Sequence, residues 1–183
     1  MYKLLQFFLQ LALLRRTPQE LPDSRFLLAV LLLLNLVLNT FLGIKVFETA
    51  GHAILANLLE LALAAGLLFA ALHVQNRLPR WRQTYTALLG LGALAALFSL
   101  GFVVVGNVLD KPLLPNTLNL LLFFWMQLAL AHVVRHAFEM ALPFAILIVF
   151  AYTLFALGLI AQWIPIDPDL AVDGISNDLT TDP

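Results

Sequence analysis

Five long apolar runs, near 25–45, 52–75, 84–108, 113–135 and 141–163, dominate the chain. Each is long enough to cross about 30 Å of hydrocarbon at about 1.5 Å of rise per helical residue. The breaks at 43–51, 76–83, 110–115 and 136–143 hold the Gly, Pro and charged residues that end helices. Such short connections predict that spans adjacent in sequence are antiparallel and adjacent in space. Ahead of the first span, residues 1–16 are apolar except for Lys3, Gln6 and Gln10, which recur at helical spacing, and the closing Arg15-Arg16. At about 14 residues the apolar part is too short to span and predicts an amphipathic helix in the membrane interface. Its arginines follow the apolar stretch, where a signal peptide carries its charges in front. Thr17-Pro18-Gln19-Glu20 predicts a short capped turn, and Leu21-Pro22-Asp23-Ser24 stops it and caps the first span. The expected architecture is an all-α, polytopic five-transmembrane-helix bundle. It divides into an interfacial helix over 1–16, a membrane domain over 17–163 and an acidic tail over 164–183.

Composition makes the bilayer the solvent: 62% of residues are hydrophobic and only 11% charged, too few charges for a water-facing surface. A net charge of -1 with no basic run excludes nucleic acid as a partner. The absence of cysteine excludes disulfides, thiolate catalysis and Cys-ligated metals.

The charges add a direction. Lys3, Arg15, Arg16, Arg25, Arg77, Arg80, Arg82 and Arg135 fall on one side of the threading, and only Lys45 and Lys111 on the other. The positive-inside rule then places the N-terminus in the cytoplasm and, after five spans, the C-terminus outside. The tail from Ile166, with Asp167, Asp169, Asp173, Asp178 and Asp182 and no basic residue, agrees and reads as solvated and disordered. Trp81 and Trp163 are expected as interfacial anchors and Trp125 as a packed mid-span residue. Ala62, Gly66 and Ala70, and Gly92 with Ala96, repeat at every fourth position and predict close helix packing inside the bundle.

Two polar groups are candidates for chemistry. Glu60 is the carboxylate deep within a span, where an ionisable group is costly enough to suggest function. Asn35 and Asn39 share a face of the preceding span and, with Asn57, are positioned to meet it. His52 shares the Glu60 face about 12 Å away by helical rise. The group predicts either a proton or cation path from His52 to Glu60 or a protonated Glu60 bonded to asparagines as interhelical glue. The second group, His132, Arg135, His136 and Glu139, lies on one helix face, and His73 and Arg77 repeat a similar face at the same end. His132 and His136 at i, i+4 suit a divalent metal, against which Arg135 between them weighs, and His73 with either of them suits a haem. The plainer reading is snorkelling and ion pairing at the membrane surface. No cofactor is implied.

The segments Leu13-Leu14-Arg15-Arg16-Thr17-Pro18-Gln19-Glu20-Leu21-Pro22-Asp23-Ser24-Arg25-Phe26 and His132-Val133-Val134-Arg135-His136-Ala137 resemble a family of small polytopic proteobacterial inner-membrane proteins. The five spans, amphipathic start and outside C-terminus are also similar to the Yip1-type membrane fold. Eukaryotic members of that fold carry an Asp-Leu-Tyr-Gly-Pro-like motif where this chain has Gln19-Glu20-Leu21-Pro22. The resemblance implies a scaffold or interaction role and assigns no catalytic residue. The expectation is therefore a non-enzymatic bacterial inner-membrane protein, acting in assembly through lateral contacts with other membrane proteins or with itself. The alternatives are a small proton- or ion-coupled transporter or channel using Glu60, and a His-ligated metal or haem enzyme.

Overall fold

The computed structural model describes residues 2–44, 46–47, 49–111 and 113–164. Pro112 and the acidic tail from residue 165 onward lie outside the described residues. The elements are α1 (Tyr2–Ala12), α2 (Arg25–Gly43), α3 (Ala50–Val74), α4 (Trp81–Val108), α5 (Leu113–Phe138) and α6 (Leu142–Trp163), with single 3-10 turns at Pro18–Glu20 and Leu78–Arg80. No strand occurs among the described residues. The five helices α2 to α6 are each long and apolar enough to cross a membrane, so the chain is a multi-pass membrane protein of the all-α class expected.

The helix starts follow the sequence signals. Ser24 Oγ accepts the Leu27 N–H at 3.3 Å, and Thr49 Oγ1 accepts the His52 N–H at 3.2 Å. In the linker the Thr17 N–H donates to Glu20 Oε1 at 2.9 Å, half of the reciprocal cap that Thr-x-x-Glu predicts. The helix ends are less conventional. Leu14, Asn76, Asp110 and Glu139 take φ of 61°, 55°, 52° and 55° just past α1, α3, α4 and α5. The next N–H in each case reaches back to close the helix: Arg15 to Gln10, Arg77 to Leu72, Lys111 to Gly106 and Met140 to Arg135.

The spans form a ring. Going round it, α2 packs on α3, α3 on α6 in a thinner seam, α6 on α5, α5 on α4, and α4 back on α2. The closest pairing is α2 with α4, which are not sequence neighbours, whereas the hairpin partners α3 and α4 touch only lightly. Small residues decide this. Ala87, Ala93 and Ala96 of α4 are buried, and a Cβ added at Gly92 would stand 2.5 Å from Asn35 Nδ2 of α2. Helix α1 is amphipathic as predicted, and its apolar face is seated on α4 and α5. Leu11 is fully buried, and Phe8 occupies the space that a side chain at Gly90 would fill.

Lipid tails are as apolar as leucine, so burial gives little drive between spans, and close packing with interhelical hydrogen bonds takes its place. Asn57 Nδ2 donates to the Leu36 carbonyl at 3.0 Å and to Thr40 Oγ1 at 3.3 Å, tying α3 to α2. Gln127 Nε2 donates to Thr153 Oγ1 at 3.0 Å, tying α5 to α6. Such bonds contribute on average about 0.6 kcal/mol each.

Two packing expectations need correction. The Gly92 and Ala96 face is internal, but Ala62, Gly66 and Ala70 lie on the exposed side of α3, and a Cβ at Gly66 would meet nothing within 4 Å. Helix α3 bonds to α2 through Asn57, and the small stripe lies about half a turn round the helix from it, facing away from α2. Trp125 is exposed, because the buried side of α5 is the Met126, Ala129 and Val133 face against α4. Trp163 is exposed as an anchor would be, while Trp81 also packs, its Nε1–H donating to the Ala65 carbonyl at 3.2 Å.

Candidate functional site

The ring encloses a cavity of about 410 Å³ to which all five spans contribute. Its lining is apolar except for Asn35 and Asn39 from α2, Glu60 from α3, Tyr85 from α4 and Tyr152 from α6. Its exposed lining residues, Glu60, Leu67 (45%) and Ala71 of α3 and Ile148 (48%) of α6, place its open side at the α3–α6 seam. Glu60 stands ten residues into α3, about 15 Å by helical rise, which is mid-span. Leu67 stands about 10 Å nearer the basic end but still within the span, so the open side meets hydrocarbon.

The hydrogen bonds around the cavity are local. Asn35 Nδ2 donates to the Leu89 carbonyl at 3.2 Å, fixing α2 on α4 beside Gly92. Asn39 Nδ2 donates to the Asn35 backbone carbonyl and to Asn35 Oδ1, both at 3.0 Å. The Tyr85 hydroxyl donates to the Leu61 carbonyl at 2.9 Å, and the Tyr152 hydroxyl to the Glu60 carbonyl at 3.4 Å, across the seam. Among the described residues no side chain donates to the Glu60 carboxyl.

The structure thus brings Asn35, Asn39 and Glu60 to one cavity but leaves two expected members out. Asn57 is on the α2 side of α3, engaged with Leu36 and Thr40. His52 is in the first turn of α3, off the cavity lining, with its Nδ1 buried and without a partner among the described residues. The asparagines bond backbone and one another, so the direct Asn–Glu60 glue is not formed. The sequence reading missed Tyr85 and Tyr152. The available cue was a phenol within an apolar span, whose hydroxyl needs a partner there.

At the other candidate site, where α3 and α5 end and α4 and α6 begin, the residues form ion pairs. Glu139 accepts from Arg77 at 2.6 Å and from Arg80 at 2.7 Å. Arg80, and next Arg77, hold its carboxyl below the usual carboxylate range. In the linker, the backbone N–H of Thr17 and the side chain of Arg16 lower Glu20 in the same way. His132 Nε2–H donates to the Arg16 carbonyl at 3.0 Å, and His136 Nδ1–H donates to the His132 carbonyl at 2.8 Å. Gln19 Nε2 donates to the His136 carbonyl at 3.0 Å, and Arg82 pairs with Asp23 at 2.6 Å. The His132 ring and the His136 backbone carbonyl therefore fasten the N-terminal linker to α5. Arg135 is exposed and lines a shallow groove with Gln19, Arg80, His136 and Glu139.

His73 does not join them. Its ring stacks on Phe69 at 6.2 Å on the exposed side of α3, so the facing histidine pair that a haem would need is not formed. Among the described residues no three His, Cys, Asp or Glu side chains converge as metal ligands.

The chain matches no protein-family model, no curated protein and no solved structure.

Proposed function

We propose that this multi-pass membrane protein works by holding a guest drawn from the bilayer in the cavity at Glu60. The observation that carries the reading is a half-open apolar cavity of about 410 Å³ among the spans, with a carboxyl at mid-span on its exposed side. Sites of about 300–1,000 Å³, mostly apolar with a few placed polar groups, are the ordinary form of small-molecule sites. The transporter reading placed on Glu60 follows if the guest also leaves by another side. Native mass spectrometry of the full chain released from lipid nanodiscs tests the proposal. The wild type should retain a small apolar guest, and Leu67→Trp, which fills the mouth, should lose it. Equal retention by both would overturn the reading.

A second reading, lateral association as a scaffold or assembly factor, is favoured by the exposed Ala62, Gly66 and Ala70 side of α3. It agrees with the likeness to the Yip1-type fold. If a second copy or another membrane helix docks there, Gly66→Leu should abolish the oligomer or co-purified complex seen by light scattering in detergent. An unchanged mass would remove it.

The basic end is proposed to face the cytoplasm of a bacterial inner membrane, since it gathers Arg77, Arg80, Arg82 and Arg135 with the linker arginines. A reporter fused after Trp163 should then be active in the periplasm.

A further inference from the structure

The polar groups of the cavity divide unevenly into donors and acceptors. Both amide N–H groups of Asn39, one of Asn35 and the hydroxyls of Tyr85 and Tyr152 are engaged with backbone or with each other. Among the described residues no lysine, arginine or histidine lines the chamber. Apart from the second amide N–H of Asn35, the groups left without a partner among the described residues are acceptors when Glu60 is ionised: its carboxylate, Asn39 Oδ1 and the lone pairs of the two phenolic oxygens. A guest that brings only acceptors sets lone pairs against lone pairs in a low dielectric and leaves the carboxyl unpaired, which is costly. A guest whose head carries N–H donors meets the carboxylate and the other acceptors of the set.

We propose that the chamber binds a lipophilic amine, its ammonium head on Glu60 and its apolar body along Leu67, Leu68, Val134 and Val149. The inference rests on the cavity being a guest site, and it names the class of guest. Glu60 supplies a charge-assisted hydrogen bond, and Asn39 Oδ1 with a phenolic oxygen takes the remaining N–H groups. The proton balance closes without another reactant. A neutral amine meeting a protonated Glu60 takes its proton, and an ammonium meeting a carboxylate gives the same pair, so the filled chamber is neutral overall. The lateral mouth suits such a molecule, because an amine with an apolar body partitions into the bilayer first.

The test uses the full chain in phosphatidylcholine nanodiscs, with empty discs as background, and isothermal titration of four probes sharing one alkyl chain: dodecylamine, dodecanol, dodecyltrimethylammonium and dodecanoate. Dodecylamine should bind tightest. The alcohol and the donorless quaternary cation should be weaker by about tenfold or more, and dodecanoate weakest. Glu60→Gln should weaken the amine by about ten- to hundredfold and leave dodecanol nearly unchanged, while Glu60→Asp should restore most of the amine affinity. Equal affinity for amine and alcohol, or an amine affinity indifferent to Glu60→Gln, would overturn the proposal. The wild-type probe series decides the matter even if a Glu60 variant fails to fold. Should dodecanol bind, be lost in Leu67→Trp and match the amine, the guest site would stand and the amine class would fall. No binding by any probe would remove both.

Discussion

Four residues without glycine's freedom hold left-handed backbone at helix ends: Leu14, Asn76, Asp110 and Glu139. Asparagine and aspartate tolerate that region, whereas for leucine or glutamate it costs about 1–2 kcal/mol. At Leu14 nothing evident offsets the cost, so Leu14→Gly should leave stability unchanged or raise it by about 1 kcal/mol, read as a higher thermal midpoint in detergent. Glu139 is different. The strained position aims its carboxylate at Arg77 and Arg80, and the clamp requires a charge. A carboxyl lowered in the folded state stabilises fully above its ordinary value of 4.5 and loses that contribution as pH falls through the lowered value. The groove around it presents Arg80 and Arg135 beside His136. The midpoint gap between wild type and Glu139→Gln should therefore be present at pH 7 and shrink progressively below pH 4.5. A gap that persists at pH 2 would show that the clamp is not electrostatic.

Contact between elements turns on glycines of α4. A side chain at Gly90 would occupy the place of the Phe8 ring, so Gly90→Leu should unseat α1 at a cost of about 1–3 kcal/mol. Limited proteolysis near Arg15-Arg16 should then accelerate, and Phe8→Ala in the same chain should recover part of the loss if the two residues share one space. At Gly92 the added carbon would meet Asn35, whose amide is bonded to the Leu89 carbonyl, so Gly92→Val should loosen α2 from α4 and deform the cavity. Asn57→Ala removes two bonds between α3 and α2 and should lower the midpoint without emptying the cavity, since Asn57 does not line it. If Asn57→Ala changed guest retention as strongly as Leu67→Trp, the separation drawn between glue and site would fail.

At the scale of the whole molecule, the ring closes through α3 and α6, its thinnest seam, and the cavity opens there. The Tyr152 hydroxyl on the Glu60 carbonyl, at 3.4 Å, is a long tie across that seam. Tyr152→Phe removes it without changing the ring's shape. That variant should admit and release guests faster with little change in thermal midpoint, measurable as exchange rates in the nanodisc experiment. The basic end is fastened by ion pairs, by the His132 ring on the Arg16 carbonyl and by Gln19 on the His136 carbonyl, ties that the seam lacks among the described residues.

The sequence determined the five spans, the helix start at Ser24, the amphipathic α1 and the gathering of arginines at one end, because each depends on a local pattern of a dozen or so residues read against a bilayer. Glu60 with Asn35 and Asn39 was also legible, since polar side chains in a span have few places to go. The order of helices around the ring was not: α2 and α4 are packed together by the close fit of Gly92 to Asn35, a complementarity between residues far apart in sequence. For the same reason only the tertiary structure decided that Asn57 and His52 stand off the cavity, that Tyr85 and Tyr152 join it, that His73 leaves the other histidines, and that the small-residue stripe of α3 faces outward. A helix of apolar residues in an apolar solvent carries no strong moment to say which side it buries, so that choice is made by the shapes it meets.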